Sequence, residues 1–107
     1  MNNSIVVLRI YRTTSSERDV EEELKKLGEF LKTRSQLVSD VEYITTSKIS
    51  SGDVKGLIII KSSSLERASS EAHLITTLVK SNFKTLDVEE ASDSLIRNIT
   101  IGLKNFF

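Results

Sequence analysis

The sequence predicts an α+β domain of the ferredoxin-like kind: a split β-α-β sandwich in the order β-α-β-β-α-β, with an extra C-terminal helix. Two observations carry this. IVVLRI at 5–10 and GLIII at 56–60 are the most apolar strand-like segments of the chain, and they are the first and third strands in sequence. In this topology those two strands fill the middle of the sheet, where both faces are partly covered. Amphipathic helical stripes occupy the positions where the crossover helices belong. The chain has 107 residues, no proline and four glycines, and reads as one domain spanning 1–107.

The first strand is Ser4–Arg12, where Val6, Leu8 and Ile10 alternate with Val7, Arg9 and Tyr11, the two-residue period of a strand. TTSSERD follows as a helix start, with candidate caps from Thr14 to Ser16. Val20, Leu24, Leu27 and Leu31 then form one helical stripe. Acids crowd the front of this helix (Glu21 to Glu23) and bases its back (Lys32, Arg34), as the macrodipole favours. Val41–Thr46 alternates again, with Val41, Tyr43 and Thr45 opposite Glu42 and Ile44. SSGD at 50–53 is turn chemistry, which predicts a hairpin to Leu57–Lys61 with a longish loop.

Ser63-x-x-Glu66 has the form of a capping box, and Leu65, Ala68, Ala72, Ile75 and Val79 make the stripe of a second helix. Phe83–Leu86 is a short strand. Asp87-x-x-Glu90 is read as the cap of a third helix whose face carries Val88, Ala91, Leu95, Ile99 and Phe106.

Lysine plus arginine equals aspartate plus glutamate at 15 each, which excludes a globally basic nucleic-acid binder. Charge is uneven along the chain, with bases prevailing from Lys48 to Lys84 and acids from Asp87 to Asp93. The chain contains no cysteine, so a disulfide framework and a thiolate metal site are excluded. No apolar run approaches the roughly 20 residues of a membrane span. MNNSIVVLRIYR lacks the basic start and cleavage site of a signal peptide. A cytoplasmic location is expected, with no membrane partner.

Little in the sequence points to catalysis. His73 is the only histidine, and it lies about 120° from the stripe of the second helix, beside or outside the packed face. It has no second histidine or cysteine for a metal site or a nucleophile pair. The serine runs fall at helix starts and turns, with no nucleophile elbow, and no phosphate-cradling glycine loop is present. The expectation is no catalytic residue, no cofactor, no metal and no activity of the chain alone.

Sheet pairing supplies a candidate surface instead. With Val6, Leu8, Ile10, Ile58 and Ile60 facing the helices, the other face carries Val7, Arg9, Tyr11, Leu57, Ile59 and Lys61, joined by Tyr43. A mixture of apolar and basic groups there is either covered by the third helix or is a partner surface. Stacking on RNA bases needs aromatics at alternate strand positions, and Val7, Leu57 and Ile59 are aliphatic. The last helix is apolar on more than one stripe, making Ile96, Leu103 and Phe107 a candidate interface.

Four segments resemble the small ribonuclease P protein subunit of archaea and eukaryotes, the Pop-five/Rpp-fourteen family. KGLIII at 55–60 is similar to its glycine-led strand, and SLERASSEAHLITTL at 64–78 to the helix that follows. FKTLDV at 83–88 falls at its short strand and turn, and SLIRNI at 94–99 at its basic terminal helix. The chain is a divergent relative on this reading, neutral where the family tends to be basic. The resemblance implies a non-catalytic protein subunit of an RNA-processing ribonucleoprotein that assists removal of the tRNA 5′-leader. It implies a larger protein partner and contact with ribonuclease P RNA or tRNA, with Arg67, Lys84, Arg97 and Lys104 as candidate RNA contacts. A second resemblance, of Arg67-Ala68-Ser69 and Leu74 to the main helix of Pcc-one-like subunits of the KEOPS tRNA-modification complex, implies a dimerising subunit. A third reading is a ferredoxin-like interaction module, homodimeric or heterodimeric, without RNA binding.

Overall fold

A computed structural model describes residues 4–13 and 20–91. The elements are β1 (Ser4–Arg12), α1 (Val20–Leu37), β2 (Val41–Ser50), β3 (Asp53–Ser62), α2 (Leu65–Asn82) and β4 (Leu86–Glu90). The strands form one sheet in the order β2-β3-β1-β4, every neighbouring pair antiparallel. This is the expected β-α-β-β-α-β sandwich, with β1 and β3 at its centre.

Strand alternation decides which residues enter the core. Val6, Leu8 and Ile10 of β1 join Val54, Ile58 and Ile60 of β3 and Leu86 and Val88 of β4 in one buried cluster. The helices close it with Val20, Leu27 and Leu31 from α1 and Ala68, Ala72, Ile75 and Val79 from α2. The stripes read from helical spacing are therefore the packed faces, except that Leu65 is 59% exposed.

Gly56 stands opposite Ile10. A Cβ built there would lie 2.9 Å from Ile10 Cδ1 and 3.0 Å from its Cβ. The glycine ahead of the apolar run thus makes room for a core isoleucine.

Several local expectations need correction. The hairpin loop is only Ser51-Gly52, closed by the Ser50–Asp53 pair. Both residues have positive φ, 51° and 76°, as a two-residue type I′ turn requires. The strands run past Thr46 and ahead of Leu57 because Ile49 and Val54 continue the alternation beneath a polar stretch.

The α2 cap is Ser64, whose hydroxyl accepts from the Arg67 amide at 3.3 Å, one residue beyond the expected Ser63. The fourth strand is Leu86–Glu90 rather than Phe83–Leu86, so Asp87-x-x-Glu90 is strand and not a helix cap. Buried Leu86 and Val88 alternate with Asp87 and Glu89, a two-residue period that four clustered acids disguise as a helix start.

Tyr43 is on the helix side. It pairs with Ile60 and packs against the core cluster, so it does not join the opposite face. The expected caps at Thr14 to Ser16 and the remainder of the third helix lie outside the described residues.

Candidate functional site on the sheet face away from the helices

Register assembles this face row by row. Across the sheet, Ile44 of β2 stands opposite Ile59 of β3, and Ile59 opposite Val7 of β1. The adjoining row reads Thr46, Leu57, Arg9 and Glu89. Ile5 and Lys61 pair at one end, with Glu42 beyond Lys61. The six residues expected together on this face are therefore brought together.

Exposure divides them. Leu57 is 0% and Val7 4% exposed, yet neither belongs to the helix-side cluster. Arg9, Tyr11, Ile59 and Lys61 are half-buried. Ile5 and Ile44 remain 52% and 47% exposed, and among the described residues they are the large apolar side chains this face offers to solvent.

The basic end of β1 is neutralised by β4. Arg9 donates to Glu89 Oε1 from Nε at 2.9 Å and from Nη2 at 2.5 Å, and its guanidinium lies 4.8 Å from the Tyr11 ring centre. The Tyr11 hydroxyl donates to Asp87 Oδ2 at 3.2 Å, and Lys80 Nζ meets the same oxygen at 2.7 Å. Burial first, and then the Asp87 carboxylate, push the Tyr11 pKa above its ordinary value. For Asp87, burial works upward but is outweighed by Lys80 and the Val88 amide, so its pKa is lowered.

Lysines border the same end of the face on β2 and β3, past the Ile10–Gly56 pair. Lys48 and Lys55 stand directly opposite each other across β2 and β3. With Ser50, Ser51 and Asp53 they line a shallow hollow at the hairpin tip.

Arg67 is committed within the fold. Its Nε donates to Asp40 Oδ2 at 2.7 Å and its Nη1 to Glu71 Oε2 at 2.8 Å. Glu71 is 1% exposed and also receives Arg34 and the Tyr43 hydroxyl. Burial alone would raise the Glu71 pKa; the bonds from Arg34, Tyr43 and Arg67 outweigh it and hold it at about 2. Burial first, and then the Glu71 carboxylate, hold the Tyr43 phenol above its ordinary range against the opposing effect of Arg34. Sequence reasoning missed this cluster. The signal was available: position 71 lies on the stripe of Ala68, Ala72 and Ile75, and an acid on an apolar stripe needs buried cations.

Lys84 is exposed at its side chain, while its amide donates to Glu23. Arg97 and Lys104, and the interface candidates Ile96, Leu103 and Phe107, lie outside the described residues. His73 is exposed. Among the described residues, no three His, Cys, Asp or Glu side chains are grouped to hold a metal ion. No described helix is long and apolar enough to cross a membrane.

Comparison with known proteins supports the fold and nothing finer. No family model matches the chain, and no curated protein matches it. Among solved structures, a de novo designed protein with a ferredoxin fold, determined by solution NMR, is similar with a TM-score of 0.57 and 20% identity. That likeness covers 83% of this chain and 86% of the other. The de novo designed protein Ferredog-Diesel is similar with a TM-score of 0.58 and 22% identity, over 83% of this chain and 87% of the other. The class these define is the ferredoxin-like α+β sandwich.

Proposed function

We propose that the chain is a non-catalytic subunit that binds a protein partner through the sheet face away from its helices. One observation carries the reading: exposed Ile44 stands opposite half-buried Ile59, exposed Ile5 lies diagonal to it beside Lys61, and Lys48 and Lys55 lie further along β2 and β3. An apolar centre inside a charged rim has the composition of a protein interface. Arg9 and Arg67 spend their charge on Glu89, Asp40 and Glu71, which favours protein over direct phosphate contact.

The assembly we propose is an RNA-processing one. Support comes from the resemblance of KGLIII, SLERASSEAHLITTL and FKTLDV to the ribonuclease P subunit. RNA contact then falls to exposed lysines such as Lys84.

Ile5→Glu tests the face. It leaves the fold intact, because Ile5 is half exposed, and removes partner binding. Unchanged binding by this variant rejects the face. Recovery of a stoichiometric protein partner without RNA keeps the face and rejects the RNA-processing assignment.

A further inference from the structure

We propose that two copies of the chain pair antiparallel through β2, on a two-fold axis at Thr45, to make one continuous eight-stranded sheet. This rests on the edge of the sheet that no other described strand pairs with, and it shares Ile44 and Lys48 with the face described above.

β2 is an edge strand, bonded to β3 and to no other described strand. It runs for ten residues and pairs with β3 without a bulge from Val41 to Ser50. The chain has no proline. Glu42, Ile44, Thr45, Ser47, Lys48, Ile49 and Ser50 are all exposed. Long, regular, solvent-facing edges pair with another chain unless something blunts them. Here the only charges on the strand are Glu42 and Lys48.

The hairpin sets which backbone groups are free. A two-residue type I′ loop closes on a hydrogen-bonded pair, here Ser50–Asp53. Alternation then turns the even positions of β2 towards β3. The N–H and C=O groups of Val41, Tyr43, Thr45, Ser47 and Ile49 point outwards, ready for a second strand.

A two-fold axis at Thr45 matches each residue with one equally far on its other side. Glu42 then faces Lys48 of the second copy, and Lys48 faces Glu42, so the only two charges on the strand neutralise each other twice. Ile44 faces Thr46 on the same surface. On the helix side, Ile49, 44% exposed in the single chain, faces Val41. All five outward positions find partners in this register. Moving the axis by one residue breaks the Glu42–Lys48 match.

Sedimentation of the full chain, from low micromolar to near-millimolar concentration, tests the pairing. The expected result is a reversible dimer. Lys48→Glu separates this from other dimers, because it relieves the like-charge pair with Lys55 inside one chain. It is expected to leave the monomer as stable or more so, while raising the dimer dissociation constant about tenfold, since the axis counts each pair twice. Adding Glu42→Lys restores the dimer. Thr45→Pro removes an outward N–H that bonds to no described group of the single chain, and is expected to abolish the dimer without unfolding the monomer. A chain that stays monomeric throughout, or a dimer indifferent to both Lys48→Glu and Thr45→Pro, overturns the proposal.

Discussion

Arg34 holds both oxygens of the buried Glu71 carboxylate, Nε to Oε1 at 2.7 Å and Nη2 to Oε2 at 3.2 Å. The contact joins α1 to α2, and Tyr43 ties β2 to the same carboxylate. Arg67 extends the cluster to Asp40, just ahead of β2. One buried charge thus fixes how three elements sit on one another. Buried ion pairs contribute little net stability, but losing one partner strands the rest. Glu71→Ala should therefore cost about 3–5 kcal/mol, read from urea unfolding. A loss below about 1 kcal/mol would show that the guanidinium groups find water instead.

Acid should weaken the fold through the same residue. The Glu71 pKa is about 2 when folded against an ordinary 4.5. Its contribution is complete above about pH 4.5 and fades as the pH falls towards 2. A shift of this size corresponds to roughly 3 kcal/mol. Glu23 adds to the trend. Burial raises its pKa, but the hydroxyl and amide of Thr85 and the amide of Lys84 outweigh that and lower it. Unfolding free energy measured between pH 2 and pH 6 should rise with pH, and the slope should flatten in Glu71→Gln. An unchanged slope in that variant would place the titration elsewhere.

Both tyrosines should resist ionisation. Tyr11 and Tyr43 are the only two in the chain, and burial followed by an adjacent carboxylate raises each pKa above 10. Each phenol therefore stabilises the fold below pH 10, and that contribution is lost as the pH climbs through the raised values. Phenolate absorbance should stay low at pH 10 and appear together with alkaline unfolding. Ordinary titration of one of the two phenols near pH 10 in the folded chain would refute its contact with Asp87 or Glu71.

Gly56→Val should destabilise the chain by about 1–3 kcal/mol through overpacking. The clash includes the branched Cβ of Ile10, which cannot swing aside as a side-chain tip can. Ile10→Ala should recover part of the loss when combined with Gly56→Val, a coupling readable in a double-mutant cycle. Strict additivity would mean that the backbone, not Ile10, absorbs the new side chain.

The centre of the sheet was legible because IVVLRI and GLIII are apolar at nearly every position, a pattern that only the two middle strands require. The helical stripes were legible for the same reason of spacing. β4 was not, since Asp87, Glu89 and Glu90 mimic the acids of a helix N-terminus while alternating with buried Leu86 and Val88. Tyr43 went to the wrong face because alternation groups it with Val41 and Thr45 but does not say which way the group points. Register with Ile60 decides that. Of the candidate face, the β1 and β3 residues from Val7 to Lys61 were legible. Ile5 and Ile44 were missed, Ile44 because β2 was turned the wrong way, and the pairing of Arg9 with Glu89 depended on β4 lying beside β1.

The most direct measurement is recovery of the tagged chain from its own host beside the Ile5→Glu variant, with proteins and RNA identified in both. The account predicts a stoichiometric protein partner, with processing RNA, that the parent chain retains and Ile5→Glu loses while remaining folded. Equal recovery of that partner with both chains would contradict the assignment of the sheet face.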